Sequence, residues 1–153
     1  MEIVPQSTAK NKMVREGGCL CGAMRYRVTG PQKRGSACYC TFCQRRSGGA
    51  LSVHAWFAED QITITGTPTI YEHRSDESGQ PLRLHFCPRC GTHIMLSVEK
   101  YPGVRLIMGG TLDDPSNVAI DVHVWTRSAQ HWVQFPGGAR RFETSSSGPG
   151  HAN

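Results

Sequence analysis

Seven cysteines dominate the chemistry that this sequence can support, because they fall into three tight clusters along the chain. Thiols one or two residues apart can converge on a single metal ion from a turn or from the end of a strand. In a tetrahedral zinc site with Zn–S distances of about 2.3 Å, the sulfur atoms lie about 3.8 Å apart, which these spacings reach. The clusters are Cys19-x-Cys21, Cys38-x-Cys40-x-x-Cys43 and Cys87-x-x-Cys90.

The number of thiols in the clusters predicts two kinds of site. Four thiolates close the coordination shell of zinc, so the first and third clusters together could build a structural site. The middle cluster supplies three thiols and leaves one position open, and zinc acts in catalysis at an open position. The candidate ligands are therefore Cys19, Cys21, Cys87 and Cys90 for a structural zinc, and Cys38, Cys40 and Cys43 for a catalytic zinc.

A disulfide framework is the main alternative use of these cysteines. The odd number of cysteines, the Cys-x-Cys spacing and the absence of an apolar signal in residues 1–18 count against it. We therefore expect metal-bound thiols in a reducing compartment, the cytoplasm. A redox pair at Cys87 and Cys90 is a narrower alternative, but such pairs open a helix, whereas residues 93–98 alternate as a strand.

Length and composition predict one small domain. The chain has 153 residues, 38% of them hydrophobic, with 17 glycines and 9 prolines, so it can bury one core between many turns. The formal net charge of +5 falls to +2 when seven thiolates and two Zn²⁺ ions are included. Because the lysines and arginines are also scattered among acidic residues, nucleic acid is disfavoured as a partner. The sequence has no transmembrane run, so a membrane partner is not expected either.

Alternation of apolar and polar residues predicts short strands and an all-β fold of antiparallel sheets. Only residues 41–46 predict a helical turn, which is ended by a Ser-Gly-Gly sequence and carries Cys43. We expect a single domain over residues 14–143, with disordered segments at residues 1–13 and 144–153. The predicted strands cover residues 24–28, 51–57, 62–64, 69–73, 83–86, 93–98, 104–108 and 120–125.

Five motifs in a fixed order carry a family resemblance. They are GGCLCGAMRY at 17–26, CYCTFCQRRSG at 38–48, FCPRCGT at 86–92, GTLDDP at 110–115 and HVW at 123–125. From about residue 15 to 143 the chain resembles the glutathione-dependent formaldehyde-activating enzyme family, also called the centromere protein V family. The resemblance implies a fold of the Mss4-like or β-tent kind, a structural zinc on the first and third clusters, and a second zinc on the middle cluster. Family members commonly carry histidine where this chain has Tyr39.

The resemblance also implies a reaction and its residues. In the family reaction the thiolate of glutathione adds to formaldehyde to give S-hydroxymethylglutathione, and the reverse is a carbon–sulfur lyase step. An anionic substrate requires cations, and Arg46 is the preferred candidate because it lies close after Cys43. His123 is the preferred catalytic proton donor. His54, on the polar face of its predicted strand, and Trp125, in the pocket wall, are the other expected substrate contacts.

Two other functions stay open at this level. Hydrolysis or hydration at a carbon–nitrogen bond would use the same zinc pocket, and it is favoured if Tyr39 reshapes that pocket. A non-enzymatic zinc module that binds protein or nucleic acid would instead predict a contiguous basic face. The sequence assigns neither an oligomeric state nor a physiological substrate.

Overall fold

Short strands form most of the regular structure of residues 13–146, which are the residues that this computed structural model describes. One α-helix, α1, spans Thr41–Ser47. The all-β, mainly antiparallel fold predicted from the alternation pattern is confirmed. The strands are β1 (Val14–Gly18), β2 (Arg25–Thr29), β3 (Arg34–Cys38), β4 (Ser52–Ala58), β5 (Ile62–Thr65), β6 (Thr69–Arg74), β7 (Pro81–Phe86), β8 (His93–Val98), β9 (Val104–Met108) and β10 (Val122–Val124).

The smaller sheet has three antiparallel strands, with β2 between β1 and β5. Successive side chains of a strand point to opposite faces, and this decides which residues of β2 are buried. Tyr26 and Val28 are 3% and 0% exposed, whereas Arg25 and Arg27 face solvent. One face of this sheet therefore belongs to the core.

The larger sheet has seven strands in the order β10-β3-β4-β9-β8-β7-β6. All neighbours pair antiparallel except β10, which runs parallel to β3 and places Val124 opposite Cys38. Both faces of its central strands are covered: Ile107 of β9 packs into the main core, and its neighbour Leu106 packs into a smaller cluster on the other face. The main core joins the two sheets and includes Met24, Tyr26, Val28, Ala55, Phe57, Ile94, Met95 and Ile107.

A close approach at Gly17 ties the smaller sheet to the segment after β9. The hydroxyl of Tyr26 lies 2.8 Å from Oγ1 of Thr111. A Cβ atom at Gly17 would lie 2.3 Å from the Tyr26 hydroxyl and 2.4 Å from the carbonyl oxygen of Thr111. Only glycine fits between these two groups.

The helix α1 is fixed at both ends. Cys40 is its N-cap, and the Cys40 sulfur accepts a hydrogen bond from the backbone N–H of Cys43 at 3.3 Å. Gly48 ends the helix in the left-handed conformation with φ of 68°. The side chain of Gln44 donates to the carbonyl oxygens of Tyr39 and Ser128, at 2.7 and 2.9 Å, and so anchors the helix to the segment after β10.

Two features of the fold differ from the sequence predictions. The strands β1 and β3 were not predicted. The face of β4 that carries His54 is covered rather than open to solvent: His54 is 4% exposed, because the polar residues Arg46 of α1 and Ser36 of β3 pack against its ring.

The predicted disordered segments lie outside the described residues, apart from residues 13 and 144–146. Within the described part, the carbonyl oxygen of Thr144 accepts a hydrogen bond from the backbone N–H of Trp125 at 3.0 Å. In residues 13–146, no helix has both the length and the apolar composition that a membrane crossing needs.

Candidate active site

The first and third cysteine clusters meet where the β1–β2 turn contacts the β7–β8 turn. The sulfur of Cys21 lies 3.6 Å from that of Cys19 and 3.8 Å from that of Cys87. All four sulfurs, including that of Cys90, lie within 4.8 Å of one another. Cys87 is fully buried, while Cys21 is exposed. This four-thiol group therefore links the two sheets from a site at the protein surface.

Hydrogen bonds within the two turns support these sulfurs. The backbone N–H of Met24 donates to the sulfur of Cys19 at 3.2 Å. The hydroxyl of Thr92 lies 3.2 Å from the sulfur of Cys90, and it accepts from the backbone N–H of Leu20 at 3.1 Å. Hydrogen bonds from Thr92 lower the pKa of the Cys90 thiol to about 5. These hydrogen bonds favour the thiolate form of Cys90, and the turn leads into the strand β8 rather than into the helix of a redox motif.

The middle cluster forms a separate three-thiol group. Cys38 ends β3, Cys40 caps α1, and Cys43 lies in the first turn of the helix. The sulfurs of Cys38 and Cys40 are 3.5 Å apart, and all three lie within 4.8 Å of one another. Hydrogen bonds from Cys38, from Cys43 and from backbone N–H groups lower the pKa of Cys40 to about 2, whereas the neighbouring thiols raise the pKa of Cys38. Three thiolates this close together require a cation.

Both groups have the donor type and the spacing of a thiolate metal site. The measured sulfur separations of 3.5 to 3.8 Å match the edge of about 3.8 Å for a tetrahedron with Zn–S bonds of about 2.3 Å. The predicted division of the seven cysteines into four and three is confirmed. The four-thiol group can close a coordination shell, and the three-thiol group leaves room for one more ligand.

The guanidinium of Arg46 lies beside the sulfur of Cys43 and is hydrogen-bonded to two histidine rings. Its guanidinium nitrogens lie 2.7 Å from Nδ1 of His93, 2.5 Å from Nε2 of His54 and 3.7 Å from the sulfur of Cys43. Because a guanidinium only donates, both ring nitrogens accept. Nε2 of His93 therefore carries the proton and donates to the carbonyl oxygen of Met95 at 3.0 Å.

Both of these histidines are neutral. Burial, reinforced by the charge of Arg46, lowers the pKa of His54 to about 3 and that of His93 to about 4. The arginine is therefore held by two uncharged acceptors.

Tyr39 lies between two cysteines of the three-thiol group in the sequence and is hydrogen-bonded to His123. Its hydroxyl lies 2.9 Å from Nδ1 of His123, and the two rings stack with centroids 5.9 Å apart. Phe135 packs edge-on against both rings. Burial, with a smaller effect of Arg141, lowers the pKa of His123. The pair is a hydrogen-bonded unit directly beside Cys38 and Cys40.

A cavity of about 320 Å³ opens over the three-thiol group, at the lower end of the range for small-molecule sites. Cys40 and Cys43 line it, with an apolar wall that includes Phe42, Leu82, Leu96, Val98 and Tyr101. The rim carries both signs of charge, with Asp76 and Glu77 on one loop and Lys100 and Arg127 on two others.

Trp125 completes the cavity lining from the end of β10. Its backbone has φ of 60°, a left-handed conformation that is uncommon for any residue except glycine. The guanidinium of Arg127 lies 5.0 Å from the centroid of its ring. A short helical turn, Thr126–Ser128, begins directly after Trp125 and places Arg127 at the rim of the cavity.

Comparison with known proteins identifies the family. The family model of the glutathione-dependent formaldehyde-activating enzyme matches residues 14–128, which include all seven cysteines. The chain belongs to this family. A Halomonas elongata protein that carries the same description as a provisional name is 28% identical over 128 residues, which are 80% of this chain and 82% of the relative.

A solved structure supports the fold. The crystal structure of a Rhodobacter sphaeroides protein superposes with a TM-score of 0.50 at 20% sequence identity, over 64% of this chain and 87% of the other. Together with the family match, this agrees with the predicted Mss4-like fold of the glutathione-dependent formaldehyde-activating enzyme family. The family match ends at residue 128, whereas the sequence resemblance was expected to reach residue 143.

In this member of the family, the predicted site residues fall into two places. Cys40, Cys43 and Trp125 line the cavity. Cys38 completes the three-thiol group. Arg46, His54 and His123 surround the cysteines and are not among the residues that line the cavity. The roles of these residues in substrate binding or proton transfer stay predictions.

Sequence reasoning missed several residues that the fold brings to the site. His93 was not singled out, because it contacts Arg46 across 47 residues of sequence and belongs to no motif of its own. The rim charges lie in turns, where charged residues carry no distinctive pattern. Arg127 alone had a signal, since it follows the HVW motif by two residues.

Proposed function

We propose that the protein catalyses the reversible addition of the glutathione thiol to formaldehyde, giving S-hydroxymethylglutathione. The observation that carries this proposal is the three-thiol group at the base of a cavity of about 320 Å³ whose rim is charged with both signs. The membership in the glutathione-dependent formaldehyde-activating enzyme family supports it. The reaction forms one carbon–sulfur bond, moves the thiol proton to the aldehyde oxygen, and requires no oxidant or reductant.

The two thiol groups would hold two zinc ions with different roles. Cys19, Cys21, Cys87 and Cys90 have the number and spacing of a closed structural site, and Cys38, Cys40 and Cys43 have those of an open one. When bound at the open site, zinc supplies a Lewis acid that favours the thiolate form of a substrate thiol at neutral pH. A reducing compartment such as the cytoplasm keeps the seven cysteines available for this purpose.

The charges at the cavity rim fit the ends of glutathione. The tripeptide carries two carboxylates and one ammonium group besides its thiol. Lys100 and Arg127 are suited to the carboxylates, and Asp76 and Glu77 to the ammonium group. The apolar wall would exclude water from the thiol between these contacts.

Tyr39 and His123 are the groups proposed to deliver the proton. The aldehyde oxygen gains a proton as the carbon–sulfur bond forms. The hydroxyl of Tyr39 and Nδ1 of His123 share a hydrogen bond of 2.9 Å beside the cysteines. Neither residue lines the cavity, so a proton from this pair would reach the aldehyde oxygen through an intervening group. A Tyr39→Phe variant should therefore bind glutathione normally and turn over more slowly.

The test is the exchange rate between formaldehyde and S-hydroxymethylglutathione, measured by NMR with ¹³C-labelled formaldehyde in the presence and absence of enzyme. Wild-type protein should accelerate the exchange, and Cys40→Ser should abolish the acceleration. Arg127→Gln should raise KM for glutathione about tenfold, which corresponds to one charged hydrogen bond. It should leave KM for 2-mercaptoethanol, which lacks carboxylates, unchanged. Arg140→Gln, an exposed arginine away from the cavity lining, is the control.

Asp76→Asn tests the opposite end of the substrate. It should raise KM for glutathione but not for 3-mercaptopropionate, which has no ammonium group. An enzyme that does not accelerate the exchange would refute the proposal. Zinc-dependent hydrolysis of an imine or amide by the same protein would then favour chemistry at a carbon–nitrogen bond, and inactivity in all assays would favour a binding module.

A further inference from the structure

Arg46 is a charged group without a carboxylate partner among the described residues. None of the ion pairs formed among residues 13–146 includes it. Its hydrogen bonds go instead to two histidine rings and, more weakly, to the sulfur atoms of Met108 at 3.3 Å and Cys43 at 3.7 Å. The remaining guanidinium nitrogen, Nε, is buried and has no hydrogen-bond partner within the described part of the chain.

Arg46 is partly buried, and a cation withdrawn from water is stabilised by an anion or by several acceptors nearby. His54 and His93 provide acceptors without charge, because each ring offers its unprotonated nitrogen to the guanidinium. The ring of Phe42 adds a weaker cation–π contact at 5.8 Å. Among the described groups that contact Arg46, only the thiol of Cys43 can become an anion.

The charge of the three-thiol group is complementary to that of Arg46. Three thiolates and one divalent metal ion sum to a charge of −1, and the guanidinium carries +1. Cys43 and Arg46 are three residues apart on α1, so they lie on the same face of the helix. We propose that Arg46 is the counter-ion of the three-thiol metal site and that His54 and His93 position it there.

This role differs from a contact with substrate. The guanidinium is directed at a ligand sulfur and at two histidine rings, and Arg46 is not among the residues that line the cavity. A counter-ion of this kind acts through the metal ligands, so Arg46 is a positioning residue. The proposal rests on metal binding by the three-thiol group, and it holds whether or not glutathione is the substrate.

The experiment measures the metal affinity of each site separately. Apo protein is titrated with Co²⁺, whose thiolate charge-transfer absorption reports the two groups, and Zn²⁺ affinities follow from competition with a chelator. A Cys40→Ser variant gives the signal of the four-thiol group alone. Arg46→Gln should weaken metal binding at the three-thiol group by about 10- to 100-fold, the usual effect of removing a group that supports metal ligands, while the four-thiol group keeps its affinity.

Two further variants keep the result interpretable. Arg46→Lys retains the charge but not the fork that reaches both histidines, and it should lose less affinity than Arg46→Gln. Arg45→Gln removes a neighbouring exposed arginine of the same helix and should change nothing. Normal Co²⁺ absorption at the four-thiol group shows in each case that the variant is folded.

Metal affinity of Arg46→Gln within twofold of wild type would overturn the proposal. So would an Arg46→Gln variant with normal metal affinity and a raised KM for glutathione, which would assign Arg46 to the substrate. A loss of affinity as large in Arg45→Gln would also overturn it, because it would reflect only the net charge of the helix.

Discussion

The two neutral histidines around Arg46 predict how acid destabilises the protein. Their pKa values are about 3 for His54 and about 4 for His93 in the folded state, against 6.5 for an unperturbed histidine. The unfolded chain therefore binds more protons than the native protein below pH 6.5, and the free energy of unfolding falls as the pH falls. At pH 5 each histidine should remove about 2 kcal/mol of the stability present at pH 8.

A single substitution isolates the contribution of His54. In His54→Gln the side-chain oxygen can still accept from Arg46 but cannot titrate. Between pH 8 and pH 5 the wild-type protein should lose about 2 kcal/mol more stability than this variant. Urea unfolding followed by tryptophan fluorescence, at one-unit pH steps and with the metal held in excess, measures both slopes.

The comparison removes the other effects of acid. Protonation of the thiols also weakens metal binding at low pH, but it does so equally in both proteins. His131→Gln, which replaces an exposed histidine, should keep the wild-type slope. If His54→Gln lost stability with the wild-type pH dependence, to within about 0.5 kcal/mol, His54 would not be neutral in the native state and the arrangement around Arg46 would be wrong.

Three more predictions concern the metals and the packing. Elemental analysis of freshly purified protein should give two zinc ions per chain, and a value near one would contradict the two-site assignment. Cys87→Ser should unfold the protein, because a structural zinc contributes on the order of 10 kcal/mol and the free energy of unfolding of a domain is about 5–15 kcal/mol in total. Cys40→Ser should leave a folded protein. Equal thermal melts for the two variants would refute this division. Gly17→Ala should lower the free energy of unfolding by about 1–3 kcal/mol, because the new methyl group overlaps the hydroxyl of Tyr26 and the carbonyl of Thr111. An unchanged midpoint of urea unfolding would show that the structure accommodates the methyl group without strain.

The cysteines were the most predictable part of the site. Spacing and coordination number do not depend on the rest of the fold, so the amino-acid sequence alone is enough to assign the groups that end at Cys43 and at Cys90. Strands with apolar alternation were predicted for the same local reason. The strand β3 was missed because it is built from small residues, Gly35, Ser36 and Ala37, which are buried without an apolar pattern.

Other features depend on contacts between distant segments. His54 lies on a central strand covered on both faces, so the alternation that placed it on the polar face did not show that α1 buries it. His93 and Arg127 reach the site only through the order of strands in the sheet and the left-handed backbone at Trp125. Apart from the position of Arg127 two residues after the HVW motif, the single sequence contains no local signal for such contacts.

The pairing of β10 with β3 determines which of the two cysteine groups can be completed first while the chain is being synthesised. All four cysteines of the four-thiol group precede β10 in the chain, so this group can form before β10 is available for pairing. The strand that presents Cys38 gains its second neighbour only when Val124 has been synthesised. The strand that carries the first cysteine of the three-thiol group is therefore completed last, and a chain that stops before β10 would leave β3 as an open edge of the larger sheet.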